Sequence, residues 1–126
     1  MNFLAHLYLS KNNTNIMIGN FIADHIRGNN FNHFSKEIQQ GIKLHREIDT
    51  FTDGHDIVRK SKRRLHERYR HYDGVIIDIF FDHYLAKNWS NYSEIPLDVF
   101  ANSLLINYLI INHQNSQKNH NDLLNI

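Results

Sequence analysis

The sequence predicts an all-α protein, a bundle of about six helices with no sheet. Three observations carry that prediction. One proline and five glycines in 126 residues leave few breaks in the chain. No run alternates apolar and polar residues long enough to make a half-buried strand. Two segments carry the helical period instead. Ile38, Ile42, His45, Asp49 and Thr52 recur at steps of four and three, as do Val75, Asp78, Asp82, Leu85 and Trp89.

The elements follow in order. Asn2 can cap a first short helix reaching Ser10, and Lys11 to Asn15 reads as a polar loop. A second helix is expected from Ile16 to Ile26, closed by Gly28. Ser35 can cap the third, which ends near Gly54. The fourth runs from Asp56 to Arg70. After a turn at His71 to Gly74, Asp73 can cap a fifth helix reaching Trp89. Pro96 suits the first turn of a sixth, expected to end near Asn112. Residues 1–112 are thus expected to form one helical domain, and 113–126, rich in Asn and Gln, a frayed tail.

Composition narrows the function classes. The formal net charge is +1, so the molecule as a whole is not a polyelectrolyte. Without cysteine there is no disulfide and no thiolate metal site, which suits a cytoplasmic protein. No apolar run approaches the roughly 18 residues of a membrane span. The apolar N-terminus has no basic leader and no small-residue cleavage site, and it carries His6 in its middle. Membrane partners are therefore not expected.

The two periodic stripes are unusual in what they contain. A charged group in a core stripe is costly unless it is paired or binds a metal. His45 and Asp49, four residues apart, project together from the third helix, where one cation can be held between imidazole and carboxylate. An ordinary His–Asp ion pair is the competing reading. Asp78 and Asp82 share a face one turn apart on the fifth helix, and two carboxylates so close repel unless a proton or cation separates them. His83 adjoins Asp82, diverging from it by about 100° around the helix. His6 sits among Phe3, Leu4 and Leu7, where a histidine satisfied by a backbone carbonyl would serve as well as a ligand. Asp24 could equally pair with Arg27.

The fourth helix is strongly basic. Arg59, Lys60, Arg63 and Arg64 are the expected contacts for an acidic partner, reinforced by Lys62, Arg68 and Arg70. A merely solvated face is the alternative. Nucleic acid is not expected, because Tyr69 is the one candidate stacking residue in that helix.

The segments NFLAHLYLS (2–10), GNFIAD (19–24), GIKLHREIDTFTD (41–53) and GVIIDIFFDHYLAKNW (74–89) together resemble the acyl carrier protein phosphodiesterase family. That family is distantly related to the HD-domain metal-dependent phosphohydrolases. The resemblance covers residues 1 to about 100 and implies an HD-like helical fold. It implies hydrolysis of the phosphodiester joining 4′-phosphopantetheine to a serine of holo acyl carrier protein, with Mn2+ or a similar divalent ion as cofactor. The basic helix would then meet an acidic carrier protein. Family-like positions are His6, Asp24, His45, Asp49, Asp78, Asp82 and His83. By chemistry and helix face, His6, Asp24, His45, Asp49 and Asp82 are the expected metal ligands. Asp78 would orient a ligand or the water, and His83 would protonate the leaving group. Two alternatives stand beside this reading: a non-catalytic carrier-protein binder and an HD-type nucleotide phosphohydrolase. Family members continue for several more helices, so the chain is expected to be a C-terminally shortened form. A natural short form, a frameshifted gene and a fragment all fit, and a homodimer would cover the apolar face so exposed.

Overall fold

A computed structural model describes residues 3–124. Six α-helices are present and, among the described residues, no strand: α1 (Phe3–Leu9), α2 (Thr14–Ile22), α3 (Lys36–Gly54), α4 (Asp56–Tyr69), α5 (Asp73–Lys87) and α6 (Leu97–Leu124). Short 3-10 turns at Ala23–His25, Arg70–Tyr72 and Trp89–Asn91 follow α2, α4 and α5. The all-helical expectation holds. The chain divides into two compact units, Met1–Asn88 and Trp89–Ile126.

In the first unit, local chemistry sets the helix ends. Asn13 accepts from the Ile16 N–H and starts α2 two residues earlier than expected, while Ser35 accepts from the Ile38 N–H at the head of α3. His55 caps α4, its Nδ1 accepting the Ile57 N–H at 3.2 Å. The second helix also ends sooner, at Ile22, because the backbone tightens into the 3-10 turn that carries Asp24. Asp73 is not a cap. It is the first residue of α5 and ties that helix to α4 by accepting from His66 Nδ1 at 2.9 Å. The proposed cap Asn2 lies outside the described residues.

The core of this unit is built on Ala23, Phe31 and Ile42, with Ile22, Ile26, Phe34 and Ile38 packed around them. The expected α3 stripe is the buried one: Ile42, His45 and Thr52 are all buried. The expected α5 stripe is only partly so. Val75 is exposed, Ile77 is the residue that α5 buries, and Trp89 falls beyond the helix. Helices α2 and α3 approach closely at two glycines. Gly19 faces the carbonyl of Ile38, and Gly41 faces the carbonyl of Ile16, and a Cβ on either would collide with that backbone.

α5 reaches α1 through Asp82. Its carboxylate accepts from the backbone N–H of Leu4 at 2.9 Å and of Ala5 at 3.2 Å. First-turn amides have no partner within their own helix, and a negative charge there is favoured. Replacing Asp82 by Ala is expected to cost about 2 kcal/mol in urea unfolding, at the upper end for a lost cap. A loss below about 0.5 kcal/mol would show that the carboxylate does not seat α1.

In the second unit, Trp89 is buried against Phe100, ring centroids 4.9 Å apart, and its indole N–H donates to the Ile95 carbonyl at 2.7 Å. Pro96 stands one residue ahead of α6. That helix continues to Leu124, beyond the end expected at Asn112, so most of the polar segment extends it; residues 125–126 of the expected tail lie outside the described residues. No described helix is long and apolar enough to cross a membrane.

Candidate metal centre

Two helices and a 3-10 turn bring two imidazoles and two carboxylates together. α1 supplies His6, α3 supplies His45 and Asp49, and the 3-10 turn after α2 supplies Asp24. The His6 and His45 rings stack nearly parallel, centroids 4.0 Å apart and planes 12° from parallel. Asp49 spans the pair: one oxygen lies 3.1 Å from His6 Nε2 and the other 3.2 Å from His45 Nε2. Asp24 meets the same His45 nitrogen at 3.0 Å.

Burial is graded across the cluster. The imidazoles are almost wholly enclosed, with side chains 4% and 8% exposed for His6 and His45, whereas the Asp24 side chain is 62% exposed. Beside them lies a cavity of about 20 Å3 lined by His6, Asn20, Asp24 and His45, with Phe3 and Phe21 among its walls. That volume suits one water or one ion.

The donor set fits a divalent cation on its own terms. Two imidazole nitrogens and a carboxylate oxygen, from His6, His45 and Asp49, lie within 4.8 Å of one another. Imidazole with carboxylate is a ligand mixture that borderline and hard divalent ions both accept. His6 Nδ1 is buried with no hydrogen-bond partner, a costly state for a polar atom. Burial first, and then the neighbouring His45, hold the His6 pKa below its ordinary 6.5. The ring is thereby kept neutral, the form that ligates metal.

This shift has a consequence for stability. The folded pKa of His6 lies below that of the unfolded chain, so on acidification the unfolded chain takes up the proton first. The stabilisation is complete above pH 6.5 and is lost as the pH falls through and below it. Metal-free protein should therefore lose stability between pH 7.5 and 5.5, and His6→Gln should flatten that slope. Denaturant titrations across the range check it; an identical slope in the variant is the contrary result.

The structure brings together four of the expected ligands, His6, Asp24, His45 and Asp49. Asp82 is placed otherwise, with both oxygens on the α1 amides. Adjacent side chains on a helix point apart, and His83 accordingly is exposed, meeting the Tyr84 ring edge-on at 5.4 Å. Asp78 is half-buried on α5. Arg59, Lys60, Arg63 and Arg64 are all exposed along α4. Sequence reasoning passed over Asn20 and Ser10, both buried behind the cluster. The available signal was a polar amide at Asn20, inside the otherwise apolar stripe of Ile16, Gly19 and Ala23.

The family model described as acyl carrier protein phosphodiesterase matches residues 1–123. The chain is similar to proteins of that name from Pectobacterium atrosepticum, at 37% identity over 79% of this chain and 52% of the relative, and from Photorhabdus laumondii, at 38% identity over 71% and 45%. A relative of the same name from Salmonella agona is 36% identical over 80% of this chain and 53% of its own length. The chain spans about half the length of the curated relatives it matches. No solved structure matches it. Two stacked imidazoles bridged by one carboxylate thus sit in a chain that belongs to the acyl carrier protein phosphodiesterase family.

Proposed function

We propose that this chain hydrolyses the phosphodiester linking 4′-phosphopantetheine to a serine of holo acyl carrier protein, releasing the apo protein and 4′-phosphopantetheine. The observation that carries the reading is the cluster of His6, His45 and Asp49 within 4.8 Å, with Asp24 on the same His45 nitrogen, in a member of this family. His6, His45 and Asp49 would hold a divalent cation, with Mn2+ the proposed ion, and Asp24 would complete the set from the solvent side. When bound, such an ion supplies a Lewis acid that offsets phosphate charge and lowers the pKa of an attacking water.

The chain's own residues would do the rest. Buried His6 and His45 fix the position of the charge, and Asp49, sharing its oxygens between them, sets their separation. Asp24 has the exposure needed to reach an attacking water and take its proton, while its other oxygen stays near His45. Asp78 and His83 are proposed further out on α5, as an orienting carboxylate and as proton donor to the departing serine oxygen. The exposed cations of α4, Arg59, Lys60, Arg63 and Arg64, would attract an acidic carrier protein and raise the encounter rate.

The test is an assay of holo acyl carrier protein with the purified chain and MnCl2, following release of the 4′-phosphopantetheine group by mass spectrometry. The expected result is a mass loss that requires the ion and slows as salt rises. Tight carrier-protein binding without release would instead identify a non-catalytic binder. Turnover of nucleotides without the carrier protein would identify a nucleotide phosphohydrolase.

A further inference from the structure

Behind His45, on the side away from the carboxylates, lies a hydrogen-bonded network that the proposed chemistry does not use. Its centre is Asn20, 1% exposed on α2. Asn20 Nδ2 donates to the His6 carbonyl at 2.9 Å and to Ser10 Oγ at 3.1 Å. The Ser10 hydroxyl donates its own hydrogen to that same carbonyl at 2.9 Å. Ser10 Oγ therefore acts as an acceptor toward Asn20. Both contacts on this side need a donor, so the amide nitrogen must face them. The amide oxygen is left facing His45 Nδ1 at 3.0 Å.

We infer that Asn20 is the positioning residue of the cation site, fixing His45 as the Nδ1–H tautomer so that its Nε2 lone pair points at Asp24 and Asp49. An amide oxygen can only accept, so Nδ1 must carry the hydrogen. A neutral ring has one N–H, so Nε2 then carries the lone pair. That lone pair faces carboxylate oxygens at 3.0 and 3.2 Å, an arrangement that is repulsive until a positive charge lies among them. The network thus pre-sets the ring for a cation. It also joins three helices, since the carbonyl and hydroxyl come from the α1 segment, the amide from α2 and the imidazole from α3. The inference rests on the proposed cation site, and its test separates the two.

The first measurement is the 15N–1H correlation of the histidine side chains in metal-free protein at pH 8, with His45 assigned through His45→Gln. The expected pattern is a protonated Nδ1 and a lone-pair Nε2. A protonated Nε2, whether Nδ1 is bare or also protonated, overturns the inference, whether or not the protein binds any metal. The second measurement is Zn2+ affinity by calorimetry for Asn20→Leu and Asn20→Asp. Leu removes the acceptor and should weaken binding about 10- to 100-fold. Asp keeps an acceptor on Nδ1 but loses the donor to the His6 carbonyl, so a folded Asn20→Asp protein should bind more tightly than Asn20→Leu. Equal affinity in a folded Asn20→Leu protein overturns the positioning role while leaving the cation site intact. Should Asn20→Leu fail to fold, the tautomer of the parent protein still decides. Absence of any Zn2+ binding by the parent protein counts against the cation site, and the tautomer spectrum then decides on Asn20 alone.

Discussion

Asp49→Asn should abolish divalent-cation binding while leaving the fold standing. Asp49 contacts both imidazoles, 3.1 Å from His6 and 3.2 Å from His45. No other carboxylate in the cluster has that position, because Asp24 approaches from the exposed side and reaches His45. Removing the charge leaves two rings stacked at 4.0 Å with nothing anionic between them. Groups that merely orient a ligand cost 10- to 100-fold in metal affinity when lost, so a shared ligand should cost at least about 100-fold. Hydrolysis of the holo carrier protein should fall to background with it. The amide is nearly the shape of the carboxylate and can still accept a hydrogen bond, so unfolding free energy should change by only about 1 kcal/mol. Calorimetry with Mn2+ beside a urea titration reads both quantities. Retained affinity would remove Asp49 from the site; a collapsed fold would make its role structural.

The second large effect is on stability and falls at Gly41. In an exposed helix interior, Gly→Ala is favourable by up to about 1 kcal/mol. At Gly41 the sign should reverse. An added Cβ would meet the carbonyl oxygen of Ile16 and the amide nitrogen of Asn20, which are backbone atoms and cannot rotate away. Overpacking of this kind typically costs 1–3 kcal/mol, and a backbone obstacle argues for about 3. For a chain of this size the loss corresponds to a fall in Tm of roughly 10 °C. Gly54 is the control: nothing lies within 4 Å of its would-be Cβ, so Gly54→Ala should leave Tm unchanged or slightly raised. The Gly41 lesion should also reach the metal centre. Pushing α2 from α3 moves Asn20 and Asp24 away from His45, so residual folded protein should bind cations weakly. Thermal unfolding of the two variants side by side checks this, and equal Tm values would contradict the close helix approach.

How far these features could be seen beforehand depended on what each residue's neighbours are. The α3 stripe was legible because it is local: a period of three and four puts Ile42, His45, Asp49 and Thr52 on one face whatever the tertiary structure. His45 and Asp49 were legible as a pair for the same reason. His6 and Asp24 lie on other elements, and periodicity alone does not bring them to α3; the sequence offered each as a candidate with an ordinary alternative, and the family resemblance added them to the set.

Asp82 was read from helix spacing as a ligand, but a carboxylate can also satisfy the open amides of another helix's first turn. That choice is made by α1, 78 residues away from Asp82 at Leu4. The close approach at Gly19 and Gly41 was hidden in a similar way. Inside a helix pattern a glycine reads as a weak helix former, and only the backbone of a second helix gives it a purpose. Asn20 reads as an ordinary polar residue until the His6 carbonyl and Ser10 close around it.

The convergence of His6, His45 and Asp49 is the claim on which the proposed chemistry depends. It is tested most directly by an anomalous-difference map from crystals of the protein grown with MnCl2. A single strong peak bonded to Nε2 of His45, to His6 and to an Asp49 oxygen, with Asp24 on its exposed side, is the expected result. Manganese bound elsewhere, or no peak among these side chains at saturating concentration, would contradict it.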